Sequence, residues 1–159
     1  MQILVLSDSH GKIDSIPNLL KQYKNKVQTV VHLGDNARDL LQFQPEYSEM
    51  NLVAIAGNCD FSAVAPRERI LTLGTKRILL THGHSHNVKS SYHRLMYYSL
   101  EKEADVCLFG HTHIHTVFDH ESVFFMNPGS LGEPRGLKPS YGLVTIDNAG
   151  NVTGEVINI

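Results

Sequence analysis

Residues 2–10 read Gln2-Ile3-Leu4-Val5-Leu6-Ser7-Asp8-Ser9-His10, an unbroken aliphatic run that stops on a carboxylate and, two residues later, an imidazole. A short Val/Ile/Leu run of this kind reads as a buried strand. The same event recurs four times. Val30-Val31-His32-Leu33-Gly34 leads to Asp35, and Leu52-Val53-Ala54-Ile55-Ala56-Gly57 leads to Asn58. Ile78-Leu79-Leu80-Thr81 leads to His82, and Val106-Cys107-Leu108-Phe109-Gly110 leads to His111 and His113. Ligands of open α/β sheets gather beyond the carboxyl ends of the strands. With His84 included, the pattern directs two Asp, one Asn and five His at one edge of one sheet. That is too many groups for one ion and about right for two.

Around these runs the first half alternates strand and helix. Strands are expected at 2–6, 27–33 and 51–56, with helices at 13–24 and 36–43. In the first helix Ile13, Ile16, Leu19, Leu20 and Tyr23 recur at helical spacing, and Pro17 suits a first turn. Such alternation predicts βαβ units and a parallel sheet. Residues 69–73 and 77–81 flank Gly74-Thr75-Lys76, a hairpin signal. A helix is expected over 89–103, then strands at 105–109, 114–118, 122–126, 141–147 and 151–158. A loop dense in Pro and Gly runs from Asn127 to Gly136. The sum is a mixed β-sandwich with helices on its outer faces.

At 159 residues the chain is most simply one domain, residues 1–159. A net charge of -2 gives no electrostatic reason to expect a nucleic-acid or membrane-surface partner, and there is no basic stripe. No leader pattern or membrane-length apolar run appears. Two cysteines without framework spacing suit a reducing, cytoplasmic setting.

Imidazole with carboxylate suits Mn, Fe, Zn, Co or Ni. Thiolates that would close a structural site are absent from the set. Two divalent ions bring +4 and Asp8 with Asp35 return -2, leaving a centre ready for an anionic phosphate. Paired ions about 3.5–4 Å apart can share a hydroxide of lowered pKa and clamp an in-line displacement at phosphorus. Asp35, alone on its strand end, is the candidate bridge.

The segments Asp8-x-His10, Gly34-Asp35, Gly57-Asn58-x-Asp60, His82-Gly83-His84, Gly110-His111-x-His113 and Asn127-Pro128-Gly129-Ser130 together resemble the calcineurin-like metallophosphoesterase superfamily. The likeness is to its small single-domain bacterial and archaeal phosphodiesterases and spans nearly the whole chain. It implies an α/β fold, a four-layer αββα sandwich of two mixed sheets flanked by helices. It implies one ion on Asp8, His10, Asp35 and His113, and a second on Asp35, Asn58, His82 and His111. Two divalent ions are thus expected, Mn²⁺ first, with Fe, Ni, Co or Zn as alternatives. The implied reaction is hydrolysis of small phosphodiesters by attack of a metal-bridging hydroxide on phosphorus, with His84, Cys59 and Asn58 as catalytic groups. Many relatives place His where Cys59 stands. A thiol is the poorer acid near neutral pH, which favours diesters over alkyl monoesters. The alternatives are a scaffold-type relative of weak catalysis, and a phosphomonoesterase or protein phosphatase. A homo-oligomer is also open.

Plainer readings stand beside these. Asp8 and Asp35 each precede a helix and suit N-caps. His32 reads as a packed histidine and Cys107 as core; His86, His115 and His120 read as surface, and His93 as structural. Asn36 suits a phosphate contact or a cap, and Arg135 a phosphate clamp or a solvated side chain. Asn127–Ser130 reads as a tight turn closing the sandwich below the site. Tyr97 and Tyr98 read as helix packing, with a partner surface as the alternative.

Overall fold

A computed structural model describes residues 1–61 and 64–159. Strand β1 (Gln2–Leu6) is buried from Ile3 onward, and helix α1 (Ser15–Tyr23) buries Ile16, Leu19, Leu20 and Tyr23 along one stripe. Then come β2 (Thr29–His32), α2 (Arg38–Leu41) and β3 (Asn51–Ala54). The β4–β5 hairpin (Glu68–Leu73, Lys76–Thr81) follows, then a 3-10 turn at His84–His86 and α3 (His93–Glu101). Strands β6 (Val106–Leu108), β7 (Thr116–His120), β8 (Val123–Asn127), β9 (Ser140–Ile146) and β10 (Val152–Asn158) complete the order.

The strands form two five-stranded sheets, β10-β9-β1-β2-β3 and β4-β5-β6-β8-β7. In the first, β1, β2 and β3 run parallel while β9 opposes β1. In the second, β5, β6 and β8 run parallel, with β4 and β7 opposed at the edges. Ile3, Val5, Val31, Leu33, Ile78, Leu80, Val106 and Leu108 fill the space between the sheets. On the outer face of the first sheet, α1 and Leu40 of α2 pack on Leu4, Leu6, Val30 and Leu52. On the outer face of the second, Leu95 of α3 packs with Leu79, Cys107, Phe109 and Phe125. The layers are therefore helix, sheet, sheet, helix, as expected.

Several expectations are corrected. The ligand-bearing strand ends do not share one sheet: β1, β2 and β3 belong to the first, β5 and β6 to the second. The hairpin starts the new sheet, and nothing in the aliphatic pattern marks that change. Helix α2 starts later than residue 36 because Asn36 has φ +78°, outside helical backbone, and it ends at Leu41, where tighter turns bond Phe43 N–H to Leu40 O and Gln44 N–H to Leu41 O. Helix α3 starts at His93 rather than 89, after a loop in which the Ser91 hydroxyl accepts a hydrogen bond from the His93 N–H. Tyr97 is 68% exposed and does not pack in the core. His115 and His93 are exposed, whereas His86 and His120 are half-buried.

Candidate metal centre

Both sheets are oriented so that β1, β2, β3, β5 and β6 deliver their C-terminal ends to one rim. Asp8, His10, Asp35 and His113 form one group, and Asp35, His82 and His111 a second; within each, one donor atom per residue lies within 4.8 Å of the others. Asp35 belongs to both. Its Oδ2 stands 3.6 Å from His10 Nε2 and its Oδ1 3.4 Å from His82 Nε2, so each oxygen serves one group. Asn58 joins the second group, its Oδ1 3.1 Å from His82 Nε2.

The backbone is bent to do this. Nine non-glycine residues among those described have positive φ, and five of them are Asp8, His10, Asp35, His111 and His113. Left-handed backbone is costly for L-residues and gathers at functional sites. Asp8 and Asp35 cap no helix; Asp14 and Ala37 hold the positions before α1 and α2. Two glycines make the crowding possible. A Cβ on Gly57 would collide with Asp35 Oδ1, and one on Gly110 with Ser7 Oγ and Asp8 Oδ2.

A surrounding layer orients the donors. His82 Nδ1–H donates to the Leu33 carbonyl at 2.7 Å, and His113 Nδ1–H to that of Glu133. Each therefore turns Nε2 inward. Cys59 N–H donates to Asp35 Oδ1 at 2.8 Å, and His111 N–H to Asp8 Oδ2 at 3.1 Å. Asp60 accepts the N–H groups of Asn36, Ala37 and Gly57, locking the β2 and β3 end loops together. Ser9 bonds buried His32 and Asp39 beneath the site. Asn127 donates to Gly110 O and Thr112 Oγ1, and Ser130 to Asp8 O, so this turn also fastens the ligand loops. Neither Asp60 nor the Ser9–His32–Asp39 group was singled out by sequence reasoning, although Asp60 lies inside a quoted motif.

The inward atoms are electron-rich. Asp8 Oδ1 is buried without a hydrogen-bond partner, with His113 Nε2 3.2 Å and His82 Nε2 3.9 Å away. Burial opposes ionisation of Asp8, but His113, His82 and Ser7 together hold its carboxyl below the ordinary value. Burial opposes Asp35 too, and His82 with the Cys59 N–H outweighs it. His82 is raised despite burial, by Asp35 and Asp8. His113 is raised chiefly by Asp8. His111 is pushed down to about 4 by burial and the charge of His82. Carboxylates held ionised, one imidazole held neutral and two that share protons with carboxylates form a donor set suited to divalent cations.

His84 and Cys59 flank the groups. The His84 ring lies 5.4 Å from that of His82 and 6.0 Å from that of His111, and its Nδ1 is buried without a partner. The Arg135 side chain is exposed, while its backbone N–H donates to His113 O.

Comparison with known proteins agrees with this geometry. The chain is 33% identical over 150 residues to "Probable metallophosphoesterase YsnB" of Bacillus subtilis, covering 93% of this chain and 86% of that one. It is 28% identical over 171 residues to "Phosphodiesterase YfcE" of Escherichia coli K12, covering 92% and 89%. Over 163 residues it is 30% identical to "Vacuolar protein sorting-associated protein 29" of Schizosaccharomyces pombe, covering 94% and 87%. Among solved structures, a predicted phosphoesterase from Streptococcus pneumoniae TIGR4 superposes with TM-score 0.81 at 30% identity, covering 99% of this chain and 97% of that one. The family model described as "Calcineurin-like phosphoesterase superfamily domain" matches residues 1–149, and with the two-sheet fold and the paired Asp/His groups it places the chain in the calcineurin-like phosphoesterase superfamily.

Proposed function

We propose that this chain is a dinuclear metal-dependent phosphoesterase acting on small phosphodiesters. One observation carries the reading: two donor groups interlock through Asp35, which offers one oxygen to each. On this reading Asp8, His10, Asp35 and His113 hold one ion, and Asp35, Asn58, His82 and His111 the other. Mn²⁺ is the first candidate, with Fe, Ni, Co or Zn next. When bound, two such ions supply Lewis acidity toward phosphate oxygens and an activated water.

The chain's own residues set up the rest. Asp8 and Asp35 return only two negative charges against the four positive ones of the ions. The filled centre is thus cationic and attracts a phosphate anion. The bonds from His82 and His113 to backbone carbonyls fix the tautomers and spare reorganisation during the reaction. On this reading His84, partly buried and with a ring nitrogen free of partners, is the candidate to protonate a leaving oxygen. Cys59 supports diesters over alkyl monoesters, as does the likeness to a protein named phosphodiesterase. The free thiols of Cys59 and Cys107 support a reducing, cytoplasmic setting. No described helix is long and apolar enough to cross a membrane.

The test is turnover of bis(p-nitrophenyl) phosphate by protein loaded with each candidate ion. Activity in the native chain and its loss in Asp35→Asn are expected, by at least about 100-fold, the upper end of what losing a supporting residue costs. The likeness to a protein named for vacuolar protein sorting favours a second, non-catalytic reading. Absence of turnover with every ion would decide for it.

A further inference from the structure

Ser9 lies between Asp8 and His10, two donors of the first group, and its hydroxyl is spent elsewhere, on Asp39. Asp8 and His10 both have left-handed backbone, at φ +52° and +48°, so the turn that carries them needs support from outside itself. That support is buried: Ser9 and His32 are fully covered and Asp39 nearly so. Its direction follows from the donors. Burial pushes His32 down to about 4, so the ring is neutral at pH 7 and holds one proton. Its Nδ1 accepts the Gly34 N–H at 3.3 Å, which leaves the proton on Nε2. Nε2–H then donates to Ser9 Oγ at 2.9 Å, and the Ser9 hydroxyl donates to Asp39 Oδ2 at 2.7 Å. The same Oδ2 accepts the Gly11 N–H at 2.8 Å. Ser9 Oγ also stands 3.5 Å from the Asp35 carbonyl, too far to compete with Asp39 for its proton. The chain of bonds begins at the residue before Asp35, passes between Asp8 and His10, and ends on α2. Asp8, His10 and Asp35 are three of the four donors of the first group, whereas His82, His111 and Asn58 of the second hang on other loops.

We propose that Asp39, Ser9 and His32 are positioning residues for the first ion, a one-way hydrogen-bond chain that fixes the span between the Asp8–His10 turn and Asp35. The affinity of the first ion then depends on three side chains that never touch it, and that of the second does not. Removing the Ser9 hydroxyl leaves His32 Nε2–H and Asp39 Oδ2 separated by a gap and frees the turn to relax from its left-handed backbone. The role rests on the two-ion reading above.

Titration calorimetry of the metal-free chain with Mn²⁺ resolves the two binding steps, and His10→Ala and His111→Ala identify which step belongs to which group. Ser9→Ala and Asp39→Ala are expected to weaken the His10-dependent step by about 10–100-fold and to leave the His111-dependent step nearly unchanged. Asp39→Asn, which keeps an acceptor for Ser9 and Gly11, is expected to recover most of the loss. The Ser9→Ala/Asp39→Ala double variant should lose no more than either single one, because the chain acts as a unit. Equal weakening of both steps would mark these residues as general supports of the fold and overturn the role, as would no weakening. In the wild type, ¹⁵N NMR of His32 is expected to show the Nε2–H tautomer at pH 7. The Nδ1–H form would reverse the chain and overturn the role even where a variant fails to fold. A single Mn²⁺ step in the wild type overturns the two-ion reading alone, and the role then stands only if that step needs His10 and is weakened by Ser9→Ala. No uptake at all overturns both.

Discussion

Cys59 stands beside the bridging carboxylate, its N–H bonded to Asp35 Oδ1, and its thiol is ill suited to deliver a proton to a leaving oxygen. Burial, then the nearby Asp35 carboxylate, push it up to about 11. Such a group is fully protonated at neutral pH yet gives up its proton reluctantly. Imidazole, near 6.5, is the better acid there, and a positioned general acid contributes about 10²–10⁴-fold. Cys59→His is therefore expected to raise monoester turnover relative to diester turnover by about tenfold or more. Steady-state kinetics on p-nitrophenyl phosphate and its diester would measure the ratio, and an unchanged ratio would refute the role. Cys59 was legible because it interrupts a motif. Asp8, Asp35, His82 and His111 were legible because each ends an aliphatic run. Asp60 was not, because its partners are backbone N–H groups of Gly57 and of Asn36 and Ala37, the latter two over twenty positions away. The left-handed backbone at five candidate ligands was equally hidden, since Asp and His give no glycine-like signal for it.

The strand ends act in pairs drawn from different sheets. The loop after β6 meets the loop after β1 at Gly110, whose N–H also bonds His82 O at the end of β5. A methyl group there would strike Ser7 Oγ and Asp8 Oδ2, side chain against side chain in a buried seam. Overpacking of that kind costs about 1–3 kcal/mol. Gly110→Ala is expected to lower stability by that amount in urea and to weaken divalent binding by titration calorimetry, because Asp8 must move. Native-like ion affinity in the variant would show that the seam tolerates the shift. Aliphatic periodicity revealed the strands to within a residue or two. It could not reveal that β5 and β6 lie in another sheet, because both sheets bury both faces and their runs look alike. The common rim was therefore foreseen while its division between two layers was not.

Across the whole molecule, protons and divalent ions compete for the same atoms. Asp8 and Asp35 lie below their ordinary value, so their contribution to stability is present above about pH 3.8 and fades only in stronger acid. His82 and His113 are raised above 6.5. Their contribution is complete below pH 6.5 and is lost as pH climbs through their folded values. His32 runs the other way, pushed down to about 4 by burial. Between pH 6.5 and 4 the unfolded chain takes a proton that folded His32 refuses, a loss of roughly 3 kcal/mol. His111 acts in the same sense, more weakly because it is partly exposed. Without ions, stability should thus peak near pH 6.5 and decline toward pH 8. A cation at the rim replaces the protons on His82 and His113, so its binding must release them and strengthen with pH. At a hundredfold excess over Kd, binding adds about 2.7 kcal/mol, which for a chain of this size raises Tm by about 5–10 °C. The Mn²⁺-induced rise is expected to grow from pH 6 to pH 8, and calorimetry in two buffers of different ionisation enthalpy should count protons released on binding near pH 7. A rise independent of pH, with no proton release, would mean that the ion binds away from His82 and His113, and the paired centre would lose its physical basis.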